Sequence, residues 1–152
     1  MITIDLLKNH SDNIWQFVKI LHDSLGKWTP ATLTEVEVWL TEWLNENIPL
    51  AYVALDGNVP VGICSLQFND GIRADLMPWL GDLCVVEAYQ NQGIGEMLID
   101  AITAKARELG FNKLYLIAPD RTIPEYYERL GWKKLDMDEY NGHPVTLMHI
   151  EL

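Results

Sequence analysis

Cysteine is scarce: it occurs twice in 152 residues, at Cys64 and Cys84. Both lie in apolar, strand-like runs, which reads as two buried free thiols in a reducing, cytoplasmic setting. Their spacing fits no zinc pattern, and His10, His22, His143 and His149 are too scattered to complete one, so no metal is expected. Long apolar runs are also missing. No stretch reaches the roughly eighteen residues of a membrane span, so no membrane partner is expected. The start, Met1-Ile2-Thr3-Ile4-Asp5, has neither the basic nor the apolar region of a signal peptide. Basic residues are few, with 11 Lys and Arg against 22 Asp and Glu and a net charge of −11. A nucleic-acid partner needs a basic field and is therefore not expected. An acidic cleft would concentrate a cationic amine, although acidity also serves solubility alone.

What is present is ordinary for a folded chain: 49% apolar and 22% charged residues. The length favours one domain, 1–152, large enough to bury its own core. There are no repeats, low-complexity tracts or linkers. Alternation predicts a first strand at Ile2–Leu6. Asp12 is placed to cap a helix carrying Ile14, Trp15, Val18, Leu21, His22 and Leu25 on one side. Thr32 or Thr34 can cap a second helix carrying Val36, Trp39, Leu40, Trp43 and Leu44. Strands follow at Leu50–Leu55 and Val59–Gln67, joined by the turn Asp56-Gly57-Asn58. An irregular stretch, Phe68–Pro78, precedes a fourth strand at Trp79–Val86. A long helix to about Leu109 shows Ile94, Met97, Leu98, Ala101, Ile102 and Ala106 on one face. Then come a strand at Lys113–Ala118, a short helix at Ile123–Leu130, and strands at Trp132–Met137 and Val145–Leu152 around Asn141-Gly142. The order predicts an α+β fold with a mixed sheet and helices on both faces.

The chemistry concentrates in Leu83–Gly95. A strand ends, a polar turn follows, and Gly93 and Gly95 open a helix. Glycines let backbone N–H groups approach an anion, and the helix start adds free donors and a positive dipole end. This is a pyrophosphate cradle, with Gln90 and Gln92 as neutral donors. A dinucleotide fingerprint would need a third glycine where Leu98 stands, and a Walker loop would need Lys-Ser/Thr where Glu96-Met97 stand.

Gln90-Asn91-Gln92-Gly93-Ile94-Gly95 resembles the [Arg/Gln]-x-x-Gly-x-Gly/Ala signature of the GCN5-related N-acetyltransferases. Leu83-x-Val85-x-x-x-Tyr89 resembles that family's fourth strand, and Tyr127-Glu128-Arg129-Leu130-Gly131-Trp132 its second signature. The resemblance covers nearly the whole chain. It implies a mostly antiparallel seven-stranded sheet splayed open between strands four and five, with acetyl-CoA as co-substrate in the opening. The pantetheine arm would pair with the backbone of Leu83, Cys84 and Val85. The pyrophosphate would rest on the amides of Gln90, Asn91, Gln92, Gly93, Ile94, Gly95 and Glu96. Tyr127 resembles the tyrosine that serves the CoA thiolate.

Some relatives carry a Glu-Asp pair before the Leu-x-Val; here it is Gly81-Asp82. Asp82 could take the amine's proton, directly or through water, or hold a cationic substrate; Asp75 and Glu87 are further candidates, and a dedicated base is not obligatory. Alternation puts Asp82 and Cys84 on one face, opposite Leu83 and Val85. At Asp120 many relatives have an asparagine that contacts the cofactor, and an ionised aspartate could only accept there. Candidate acceptor-binding residues are Trp28 in its loop, Trp79 and Asp82, with Trp39, Trp43 and Tyr52 as further aromatics. The expected activity is acetyl transfer from acetyl-CoA to a small, cationic primary amine in a ternary complex. The alternatives are a peptide or protein amine, a CoA-binding sensor without turnover, and a nucleotide-binding module. The last strand pair often builds dimers in this family, so a homodimer is a further expectation.

Overall fold

The structure is a computed structural model that describes residues 1–26, 29–119 and 123–152. Strand β1 (Ile2–Leu6) is followed by 3₁₀ turns at Leu7–Asn13 and by helices α1 (Ile14–Leu25) and α2 (Leu33–Glu42). Strands β2 (Leu50–Asp56), β3 (Val59–Gln67) and β4 (Trp79–Val85) come next. Helix α3 (Ile94–Glu108), β5 (Lys113–Ala118), helix α4 (Ile123–Arg129), β6 (Lys133–Tyr140) and β7 (His143–Glu151) complete the order. The strands form one sheet in the order β1-β2-β3-β4-β5-β7-β6. Every pair is antiparallel except β4–β5.

The predicted strands and helices thus form close to their expected bounds, and the expected mixed sheet is the one observed. Three local expectations are corrected: Met97, expected on the apolar face of α3, is 39% exposed while Ile99 is buried, and the other two concern α1. Asp12 does not cap α1: the 3₁₀ turns run past it, and the N-cap is Asn13, without a side-chain cap bond. On α1 the buried residues are Phe17, Val18 and Leu21, whereas Trp15 is 41% exposed. Its ring lies beneath Lys19 Nζ, 5.9 Å away. At α2 the N-cap is Thr32 and not Thr34. Thr32 Oγ1 accepts from Glu35 N at 3.1 Å, and Glu35 Oε1 accepts from Thr32 N at 3.1 Å, a closed capping box. Replacing Thr32 by alanine is expected to cost about 1 kcal/mol, lowering the melting midpoint by roughly 2–4 °C.

The two sheet faces are covered differently. Ile94, Leu98, Ile102 and Ala106 of α3, with Tyr127 of α4, pack on Val61, Cys64, Leu66, Leu80 and Leu116. On the opposite face, α1 and α2 cover Val53, Ile63 and Cys84 through Phe17, Leu21 and Leu40. Beyond those helices this second face is closed by the 68–78 loop, whose Ile72 and Leu76 pack with Trp79, Val145 and Leu147. That loop carries the side chain on which the site turns.

Candidate active site

Strands β4 and β5 pair at one place, Trp79 with Tyr115, with a bond from Tyr115 N to Pro78 O at 3.1 Å. Both strands then run on without a ladder between them, which opens a V toward their C-terminal ends. Leu83, Cys84 and Val85 lie along that opening. They keep β3 on one side, through Ile63↔Cys84 and Gly62↔Val85, and have no strand partner on the other among the described residues.

The turn after β4 is braced. Val86 N donates to Val61 O at 2.9 Å, Tyr89 Oη to Asp56 Oδ2 at 2.8 Å, and Gln90 Nε2 to Val85 O at 3.0 Å. Gln90's side chain is therefore turned back onto the strand. Asn91 and Gly93 take positive φ, 63° and 82°, and Gly93 is the N-cap of α3, with no side chain capping the helix. A helix start of this kind leaves its first N–H groups facing outward. The two glycines act differently. Gly93 supplies the left-handed conformation and has open space around it, whereas a Cβ on Gly95 would meet Tyr126 Oη at 3.2 Å.

Strand β4 is irregular before the V. Ser65 faces Gly81, but Ile63 faces Cys84, so β4 holds one extra residue there. The bulge falls at Asp82, whose φ is 55°. Aspartate tolerates this region better than most side chains, and bulges re-aim side chains next to functional sites. The result is that Gly81 and Asp82 both face the α1–α2 side. Cys84 packs on that side, and Leu83 and Val85 on the other. Asp82 Oδ2 accepts from Ser65 Oγ at 3.0 Å and from Gln67 Nε2 at 3.0 Å, and Gln67 Nε2 also reaches Ser65 Oγ at 2.9 Å. Burial raises the Asp82 pKa against these two bonds, which lower it.

A second carboxylate, unmarked by any motif, joins it. Asp70 comes in from the 68–78 loop, and no described residue gives it a hydrogen bond. Burial, then the charge of Asp82, push it well above the usual carboxylate range. Asp75, five residues on, is engaged elsewhere. It pairs with Arg73 at 3.3 Å, which holds its pKa down.

Three cavities adjoin along this line. A groove of about 650 Å³ runs beside Leu83–Val86, Glu87 and Gln90, under Ile20 and Ser24 of α1. It shares Leu83 and Ser24 with a cavity of about 220 Å³ that is also lined by Asp70, Asp82, Tyr127 and Tyr140. That cavity shares Asp70, Asp82 and Tyr140 with a third, of about 360 Å³, walled by Trp39, Trp43 and Glu42. No Lys, Arg or His among the described residues lines the second or third cavity.

Tyr127 is 6% exposed and packs edge-on against Tyr126 and Trp132, with centroids 5.3 and 5.8 Å away. Burial raises its pKa, so the phenol keeps its proton. Trp79, expected near the acceptor, lines neither cavity. It is fully buried, its Nε1 donates to Leu76 O at 2.7 Å, and its ring packs on Tyr115 at 5.7 Å. Trp39 and Trp43 line the third cavity. Trp28 and Asp120 lie outside the described residues. Among the described residues no group of side chains could hold a metal ion, and no helix is long and apolar enough to cross a membrane.

A strand splayed from its parallel neighbour, a braced turn and an uncapped helix start at the mouth define an acyl-CoA-type architecture, and the comparisons agree. The acetyltransferase (GNAT) family model matches residues 14–132, and the chain belongs to that family of acyltransferases. The uncharacterized N-acetyltransferase YjcF of Bacillus subtilis (strain 168) is 26% identical over 95 residues, which are 62% of this chain and 64% of that protein. This chain thus spans less than two-thirds of that relative's length. YncA from Salmonella typhimurium, solved with acetyl-CoA, superposes with a TM-score of 0.77 at 14% identity, covering 99% of this chain and 93% of that one. An aminoglycoside 6′-N-acetyltransferase complexed with coenzyme A gives a TM-score of 0.77 at 16% identity, over 99% and 96% of the two chains. At such identities the likeness is one of fold.

Proposed function

We propose that residues 1–152 form one N-acetyltransferase domain that moves the acetyl group of acetyl-CoA to the primary amine of a small, cationic molecule. The observation that carries this is the run of three adjoining cavities, with a carboxylate pair between the second and third and no described cation lining either. The solved neighbours named with acetyl-CoA, with coenzyme A and with an aminoglycoside substrate class support it.

In this reading the groove along β4 takes the pantetheine arm, which pairs with the free edge of Leu83–Val85 as an added strand would. The pyrophosphate rests on the amides from Gln90 to Glu96 at the start of α3. Acetyl-CoA supplies the thioester, whose acyl carbon then lies in the middle cavity beside Tyr127. The acceptor enters through the third cavity. There Glu42, Asp70 and Asp82 favour a cation, and Trp39 and Trp43 offer aromatic faces. Amine and thioester are held together for direct attack, without an acyl-enzyme step. Tyr127 donates its proton to the departing thiolate.

The test is the release of CoA thiol when acetyl-CoA is mixed with a panel of polyamines, aminoglycosides, amino acids and peptides. Acceleration by small polycationic amines, with the acetylated amine found by mass spectrometry, is the expected result. A response to peptides alone would move the assignment to a peptide acceptor. Silence across the panel would refute transfer to an amine.

A further inference from the structure

Gly81 lacks a side chain, and the space a side chain would enter is already taken. A Cβ at Gly81 would lie 3.2 Å from Asp70 Oδ1 and 3.2 Å from Ser65 Oγ. The bulge at Asp82 turns Asp82 to the same side. Two carboxylates from different segments therefore meet over Gly81, in the wall common to the Tyr127 cavity and the Trp39–Trp43 cavity. Their surroundings differ. Asp82 is held by Ser65 and Gln67. Asp70 has no described donor, so its oxygens are free toward the cavities. The loop behind Asp70 is nonetheless fixed. Gly71 N donates to Asn69 Oδ1 at 2.7 Å, Arg73 bridges Asp75 and Asp136, and Ile72 and Leu76 are packed on Trp79.

We propose that Asp70 is the catalytic base of this acetyltransferase, taking a proton from the acceptor ammonium, while Asp82, locked by Ser65 and Gln67, is the fixed anion that seats that ammonium. This rests on the acetyltransferase reading above. A carboxylate that already accepts two donors is stabilised in its charged form and is a poor proton acceptor. Its undonated neighbour, half-buried beside that charge, takes the proton instead. Burial raises both carboxyls, and the two donors on Asp82 act against that rise there alone.

Two thiols and a phenol that face the pair do not titrate with it. Cys64, behind Gly81 with Sγ 3.5 Å from Gly81 O, is raised well above a normal thiol, and Cys84 is raised to about 12. Tyr127 is raised as well, so all three stay neutral where carboxylates ionise. Tyr140 lines both cavities, Glu42 adds a carboxylate from α2, and no described cation lines either.

The proton count closes. The ionised pair attracts R–NH3⁺, and Asp70 takes one proton to give R–NH2. The nitrogen lone pair forms the C–N bond at the thioester carbon, and the C–S bond breaks as the tetrahedral centre collapses. The CoA thiolate receives the Tyr127 proton, and the second proton shed by nitrogen restores the phenol. Asp70 returns its proton to solvent when products leave.

The experiment compares wild type, Asp70→Asn, Asp70→Ala and Asp70→Ala/Gly81→Asp, using whichever amine of the panel the wild type acetylates fastest. Asp70→Asn is expected to lower kcat about a hundredfold or more, with the KM for acetyl-CoA within about twofold. The wild-type rise of kcat/KM with pH, set by the elevated carboxyl, should be replaced by a rise that follows the free amine's own ionisation. The sign for stability is opposite. A carboxyl whose pKa is raised on folding contributes stability below its unfolded pKa, and that contribution is lost as pH rises through the folded value. Asp70→Asn removes a half-buried charge held beside Asp82, so at pH 8 its melting midpoint should equal or exceed that of wild type. Moving the carboxylate to position 81 should recover at least about tenfold of the rate lost in Asp70→Ala. Asp70→Asn within about threefold of wild type, a rate loss that tracks a lower melting midpoint, or no rescue by the double variant would each overturn the assignment. If the wild type acetylates no amine, the acetyltransferase reading fails first and the assignment of Asp70 falls with it.

Discussion

Tyr127→Phe is expected to lower kcat by about a hundredfold to a thousandfold while acetyl-CoA affinity stays within about twofold. The substitution keeps the ring and so keeps the edge contacts to Tyr126 and Trp132. Only the hydroxyl goes, and no described residue hydrogen-bonds it. No buried partner is left unsatisfied, and the melting midpoint should hardly move. Burial keeps the phenol protonated, so the loss should be uniform with pH up to the alkaline end of the profile. Steady-state kinetics at several pH values, with calorimetric titration of acetyl-CoA, provides the check. A sensor without turnover would show the same binding and no rate to lose. An enzyme whose thiolate is protonated by solvent would show unchanged kcat.

Trp79→Ala is expected to produce the largest loss of stability. The side chain is 0% exposed and lies among Val145, Leu147 and Tyr115. Its removal costs about 3–5 kcal/mol, roughly a 10–15 °C fall in the melting midpoint for a chain of this length. Trp79 also forms the single β4–β5 pair at the apex of the V, and it supports the loop that carries Asp70. Trp79→Phe fills most of the space and should retain the acceptor KM of wild type. A large change in that KM, with folding intact, would restore a direct role for Trp79 in acceptor binding. Thermal denaturation of both variants, followed by kinetics on the phenylalanine variant, separates the two outcomes.

The fold was legible because its local signals agree with each other. Alternation marks β1, apolar runs mark β2 and β3, Gly57 and Asn141-Gly142 mark the turns, and the capping box at Thr32 marks the start of α2. The errors arise where distant contacts override local ones. Trp15 carries an apolar ring on the wrong side of α1, and Phe17 takes the buried position instead. Trp79 begins a strand beside a loop, the position of a cavity wall, but the loop folds over it. The turn from Leu83 to Gly95 was legible as a strand end, a turn and a glycine-opened helix start because these signals are contiguous. Gly95 differs in its reason, since its missing Cβ accommodates Tyr126. Asp70 was not legible. It stands in a loop with no periodicity, eleven or twelve positions before its neighbours, and only the one-residue bulge in β4 brings Asp82 round to meet it. Gly81 held the available signal: a glycine inside a strand marks a close approach by something else.

The central claim is that the groove beside Leu83–Val86 and the start of α3 bind acetyl-CoA. Its most direct test is the melting midpoint of the protein titrated with acetyl-CoA, CoA, ATP and NAD in parallel. Acetyl-CoA at a hundred times its Kd should add about 2.7 kcal/mol of stability, raising the midpoint by roughly 5–10 °C, with CoA acting similarly and ATP and NAD weakly or not at all. A rise with ATP or NAD and none with acetyl-CoA would contradict the account.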